Sequence, residues 1–285
     1  MQFSSTIVEV AIGLSLIYVG LSLLASWINE TIATVLNLRG KGLADGIEQM
    51  VGAAMKEALF NNPIIASSKT QPNRMPSYIS ASQFANALLD EIGGVNVTAT
   101  SATQAFQSVQ NAVADSPLRQ VLAPIVASSA GSYATVVDGI EGWFNDTMNR
   151  VSGAYRRGAT IWIFFIAVAL AVGLDADSIK LVKVLELNSA TRAALVTVAG
   201  AAAKAPNATA ATDALQHVST EVFNSLNFGW FGSPSSLPPE PGWQIALGLL
   251  GTVLAISLGA PFWFNALKFL VNVRNAGANP SDQKS

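Results

Sequence analysis

The segment Glu141 to Gly158, EGWFNDTMNRVSGAYRRG, holds the densest set of groups able to do chemistry. Asp146 and Arg150 stand four apart and can pair on one helix face. With Arg156 they could bind an ion or a lipid headgroup. Asn145, Asn149, Ser152 and Arg156 fall at i, i+4, i+7 and i+11, a single polar stripe. Trp143, Phe144, Met148, Val151 and Tyr155 take much of the remaining surface. The same residues fit an interfacial anchor, with Trp143 and Tyr155 at headgroup depth and Arg150, Arg156 and Arg157 holding the water side. The anchor is the preferred reading.

Other reactive types are sparse. The single histidine, His217, has Glu221 at i+4 and reads as a helix-surface pair. Asp90 with Glu91, and Asp138 with Glu141, read as solvated helix faces. The chain has no cysteine, which excludes disulfides, thiolate metal sites and a cysteine nucleophile. No Walker A, G-x-G-x-x-G or H-E-x-x-H pattern occurs. The expectation is a protein that is not an enzyme, with no cofactor and no metal. A net charge of −2 and a pI of about 5.4 argue against a nucleic-acid partner.

What positions these residues is set by where charge is missing. Mean hydropathy is +0.40, and charged residues are only 12% of the chain. Val10 to Ile28 (19 residues), Gly158 to Leu174 (17) and Pro241 to Leu267 (27) carry no charge. A bilayer core about 30 Å thick needs roughly 20 apolar helical residues. The composition therefore predicts an all-α, polytopic membrane protein with about three transmembrane helices, a helical cytoplasmic domain and a small helical external segment.

The expected boundaries are a first span in 1–37 and a cytoplasmic domain in 38–154. A second span follows in 155–174, then an external helical segment with a Gly/Pro-rich loop in 175–242. The third span is 243–261, broken or kinked at Pro261, and 262–285 forms an interfacial amphipathic helix and tail. One helix could run unbroken from about Tyr133 to Leu174. Ser80 or Ser82 is a cap for ASQFANALLDEI, and Asp175 or Asp177 for SIKLVKVLEL. Lysines and arginines near the span ends number seven on one side (Arg39, Lys41, Arg150, Arg156, Arg157, Lys268, Arg274) and three on the other (Lys180, Lys183, Arg192). By the positive-inside rule the N-terminus is outside and the C-terminus inside.

In the last block, Asn265, Lys268, Asn272 and Asn275 make a polar stripe opposite Phe262, Phe269, Leu270 and Val273. Trp263, Lys268 and Arg274 are its interface anchors. Along the first span, Ser15, Tyr18, Ser22, Ser26 and Asn29 recur at helical spacing; Gly248, Thr252, Ala255 and Gly259 do so in the third. Small-residue stripes let helices approach closely. Helix packing is the plainer reading, and a pore with Glu9 at its mouth and Asn29 along its wall is the sharper one. No span carries an ionisable group near its middle.

The blocks PSYISASQFANALLDEI, GWFNDTMNRVSGAYRR, LNFGWFG and SLGAPFWFNALKFLVNVRNAG together resemble a family of uncharacterised bacterial integral inner-membrane proteins. The family pattern has aspartate where this chain has Asn145 and Asn265, so a metal role does not carry over, whereas anchoring does. The resemblance implies a multi-pass protein of the bacterial inner (plasma) membrane and supplies no substrate. The function expected is that of a self-associating structural or scaffold component. The alternatives are an oligomeric channel lined by the first helix, and the membrane anchor of a larger complex. Membrane lipids, further copies of the chain and other membrane-complex subunits are the expected partners.

Overall fold

A computed structural model describes residues 2–68, 74–93, 117–129, 132–212, 226 and 241–276, with side chains omitted at 2–5, 93, 117 and 154–157. The expectations for His217, Glu221, the LNFGWFG tract, and the side chains of Tyr155, Arg156 and Arg157 lie outside the described residues. All described secondary structure is α-helix. The order is α1 (Gln2–Val35), α2 (Leu38–Val51), α3 (Ala53–Asn61), α4 (Pro63–Ala66), α5 (Ala81–Gly93) and α6 (Pro117–Ser128). Then come α7 (Tyr133–Gly173), α8 (Ser178–Leu187), α9 (Ser189–Ala202), α10 (Gly242–Leu258) and α11 (Ala260–Ala276). The chain forms two compact units, 1–31 with 159–285, and 32–158. For brevity they are called the apolar unit and the helical domain.

The helical domain has a core of its own. Leu43, Ile47 and Met50 on α2, Phe84, Leu88 and Ile92 on α5, Leu118, Leu122 and Val126 on α6, and Val136, Ile140 and Phe144 on α7 are all buried. Steps of three and four put each set on one helix face. Burying such a side chain contributes about 1.5–3 kcal/mol. Phe84 stacks on Phe144 at 4.6 Å between ring centroids, and Trp143 meets Phe84 edge-on at 6.3 Å. Trp143 is therefore a core-packing residue here, not an indole at a lipid boundary. Ser80 starts α5 through a reciprocal capping box: Gln83 N–H donates to Ser80 Oγ (3.2 Å) and Ser80 N–H to Gln83 Oε1 (3.1 Å). Asp90 and Glu91 are not a purely solvated pair, because both accept from the amide of buried Asn62, at 2.8 and 2.9 Å.

In the apolar unit, α1 and α7 are each long and apolar enough to cross a membrane. Of the apolar stretch of α7 only 19% is buried, and Ile161, Trp162, Phe164, Phe165 and Val172 are exposed. The third span differs from expectation. α10 and α11 meet at 97° and count as one membrane-crossing element only if taken together. The break falls at Gly259 (φ 83), not at Pro261. Pro261 is the second residue of α11, in the first turn, where a missing N–H leaves no bond unmade.

The contacts of this bent pair show where it goes. Thr252 on α10 bonds Ser178, which bonds Tyr18 of α1; one turn on, the Ile256 carbonyl is 3.4 Å from Ser22 Oγ. After the break the order reverses. Trp263 lies 4.6 Å from the Tyr18 ring, Val271 shares a cavity wall with Ile12, and Arg274 reaches Glu9 at 3.5 Å. The pair advances along α1, turns near Ser22, and returns. Arg274 thus ends beside Glu9, and the bent pair has the geometry of a broken span or of a re-entrant loop.

Candidate functional site

Three places bring together the polar groups of the chain. The first is at the middle of α1. α7 ends at Gly173, Asp175 adopts φ 50, and Asp177 caps α8 by accepting from Ile179 N–H (2.7 Å) and Lys180 N–H (3.0 Å). Ser178 then bonds both Tyr18 (2.7 Å) and Thr252 (2.8 Å), and Asp175 pairs with Lys180 at 2.7 Å with both side chains about nine-tenths buried. Asp177 itself is buried against α10, and a Cβ built at Gly248 would stand 1.7 Å from its Oδ1. Two carboxylates and an ammonium from the segment placed outside the spans by the sequence thus sit beside the middle of α1, whose own middle carries no ionisable residue. The α8 capping role was visible in the sequence; its depth was not. A buried ion pair costs desolvation that only good geometry offsets. Here the groups are engaged with one another and with helix ends, so their work is to join α1, α8 and α10.

Glu9 makes the second. Its carboxylate is held by Arg192 Nε at 3.2 Å and by Arg274 at 3.5 Å, while Arg192 also donates to the carbonyls of Leu185 (2.7 Å) and Glu186 (3.2 Å) at the end of α8. Lys268 donates to Ala205 O at 3.2 Å and lies over the Phe264 ring. Trp263 donates to Ala255 O at 2.6 Å and is half-buried, so it joins α10 to α11 across the bend. Ser15, Ser22, Gly248, Thr252 and Ala255 are buried within the chain, while Ser26 is exposed and donates to Ser22 O. Asn29 is half-buried, and Gly259 forms the hairpin turn.

The third place lies in the helical domain. Asn145, Asn149 and Ser152, the stripe read from the sequence, line a cleft of about 560 Å³ with Arg39 from α2 and Ser77 and Tyr78 from the segment before α5. Leu43, Ile79 and Phe144 form apolar wall. Arg150 turns away and donates to Thr147 Oγ1 at 2.9 Å in place of the expected pairing with Asp146. Among the described residues the lining carries hydroxyls, amides and one guanidinium and no carboxylate or imidazole, so it can hydrogen-bond a polar or anionic group. Two sequence blocks separated by about 70 residues, PSYIS and WFNDTMNRVS, meet in it.

The fold and these sites define an all-helical protein with two helices, or three counting the bent pair, long and apolar enough to span a membrane. Comparison of the chain with protein-family models, with curated proteins and with solved structures gives no match.

Proposed function

We propose that this chain is a non-enzymatic integral protein of the bacterial inner membrane that anchors and scaffolds an assembly. The apolar unit lies in the bilayer and the helical domain presents the Asn145–Asn149–Ser152 cleft to a partner. One observation carries the recognition role: distant polar segments converge on an open cleft whose groups suit binding and, among the described residues, include no proton-transfer pair. Support for the membrane comes from the exposed apolar faces of α7 and of α10, where Leu247, Leu250, Leu254 and Leu258 point outward. A pore along the first helix has less behind it, because Ser15 and Ser22 are packed inside the chain and Glu9 is held between two arginines.

The test is a photo-crosslinking side chain placed at exposed Tyr78 in the full-length protein, in cells. A discrete adduct at twice the chain mass identifies self-association. An adduct of another mass identifies a different subunit, which also supports the scaffold. No adduct, with the protein shown by carbonate extraction to be in the membrane, removes the recognition role. Release by carbonate removes the membrane placement itself.

A further inference from the structure

We infer that the end of the apolar unit around Glu9 is a binding site for an anionic phospholipid headgroup. A cavity of about 330 Å³ opens there between α1, α9 and α11, far above the roughly 10–15 Å³ that one water needs. Its walls are Ile12, Val196, Gly200 and Val271, and its cations are Lys204 and Arg274. Arg192 and Lys268 stand behind, engaged with backbone carbonyls. Against these four cations, the described carboxylates nearby are Glu9, shared by two arginines, and exposed Glu186. Among the described residues the local charge is positive, and an arriving anion meets exposed Lys204 and the half-exposed Arg274 side chain first.

The surroundings select a lipid over a soluble anion. Ile7, Leu187, Phe269 and Val273 are exposed apolar residues on α1, α8 and α11. On α11, Phe269 and Val273 lie opposite the buried Phe264, Leu267 and Val271, so this helix has apolar surface both inward and outward. A phosphate held by Lys204 and Arg274 would have acyl chains running along such a face. Basic pockets between membrane helices bind anionic headgroups by this combination. Along α1, Glu9 and exposed Trp27 are 18 residues apart, a rise of about 27 Å, close to the roughly 30 Å of a hydrocarbon core. That places the cavity at one lipid–water boundary.

This inference rests on the membrane placement proposed above, and the experiment separates the two. Full-length protein in a neutral detergent is titrated with phosphatidylglycerol, phosphatidylcholine and inorganic phosphate. Phosphatidylglycerol should bind about twenty-five-fold tighter than phosphatidylcholine, from two cations worth about a factor of five each. Lys204→Gln should weaken phosphatidylglycerol about fivefold, Lys204→Arg should restore it, and Glu9→Gln should tighten it by removing a competing carboxylate. Equal affinity for the two lipids overturns the inference, as does indifference to Lys204→Gln. Inorganic phosphate binding as tightly as phosphatidylglycerol makes the site one for soluble anions and overturns the lipid. Should the protein fractionate without detergent, the membrane placement fails. Phosphate titration of that soluble protein still reads the cavity, and phosphate binding unaffected by Lys204→Gln removes the site as well.

Discussion

At position 248 a side chain would stand where the Asp177 carboxylate already is. A Cβ there lies 1.7 Å from Oδ1, so Gly248→Ala must expel the acid from its place at the start of α8. The loss combines a helix cap, about 0.5–2 kcal/mol, with overpacking of about 1–3 kcal/mol. Asp177→Asn keeps an oxygen for Ile179 N–H and Lys180 N–H and should cost much less. Thermal unfolding in detergent compares them, and equal midpoints for Gly248→Ala and the parent chain would remove the contact from the structure. Tyr133 is the opposite case. Its hydroxyl is buried and has no hydrogen-bond partner among the described residues, and burial pushes the phenol above its ordinary value. Tyr133→Phe removes an unmet polar group and should stabilise the domain by up to about 1 kcal/mol. Because the folded phenol ionises later than the unfolded one, the folded protein keeps its full stability below about pH 10 and loses some of it as pH climbs through the folded value. An unfolding series on either side of that pH should show less alkaline loss in Tyr133→Phe than in the parent. An equal loss would assign it to other groups.

Two helix starts were legible because their signal is local. Ser80 with Gln83, and Asp177 ahead of SIKLVKVLEL, cap through groups two or three residues apart, whereas the equally local Asn62 and Asn188 caps were not read. The 41-residue α7 holds no proline to break it, in spite of Gly139, Gly142, Gly153 and Gly158. The hairpin break was misplaced for a physical reason. Proline signals a stop only when a donor is lost from a helix interior, while the glycine that makes the turn sits two residues earlier and reads locally as a packing residue. Trp143 misled similarly. An indole beside polar groups ahead of an apolar run describes an interface anchor and a domain-core helix equally well, and only the Phe84 contact decides. At the break, Gly259 holds φ 83 and ψ 158, a region that costs an L residue about 1–3 kcal/mol, although a Cβ there would meet only Pro261 Cδ at an ordinary 3.7 Å. Gly259→Ala should therefore lower stability by about 1–3 kcal/mol, and Gly259→Asn by as much, because ψ 158 lies outside the left-handed helical region that asparagine tolerates. Midpoints that rise with alanine would mean the bend is not held there.

On the scale of the molecule, the contacts least visible in sequence are those that decide direction. Tyr18 and Ser178 are 160 residues apart, and Glu9 and Arg274 are 265 apart. Nothing in local periodicity specifies that such pairs meet. Their consequence is large, because the hairpin returns Lys268 and Arg274 toward the Glu9 end. With Lys268 and Arg274 near Glu9, and Lys180 paired with Asp175 beside the middle of α1, the span-end count of seven basic residues against three no longer orients the chain. Topology has to be read from geometry instead, and the absence of cysteine makes single-cysteine labelling clean. Leu187 is exposed at the end of α8 beside the Arg192 contacts, and Asn275 is exposed on the wall of the Glu9-end cavity. Leu187→Cys and Asn275→Cys should react with a membrane-impermeant maleimide from the same face of sealed vesicles, both reactive or both protected in each orientation. A third full crossing by α10 and α11 separates them onto opposite faces. Opposite labelling would replace the re-entrant hairpin by a span, dissolve the Glu9–Arg274 pairing, and take the two-cation lipid site with it.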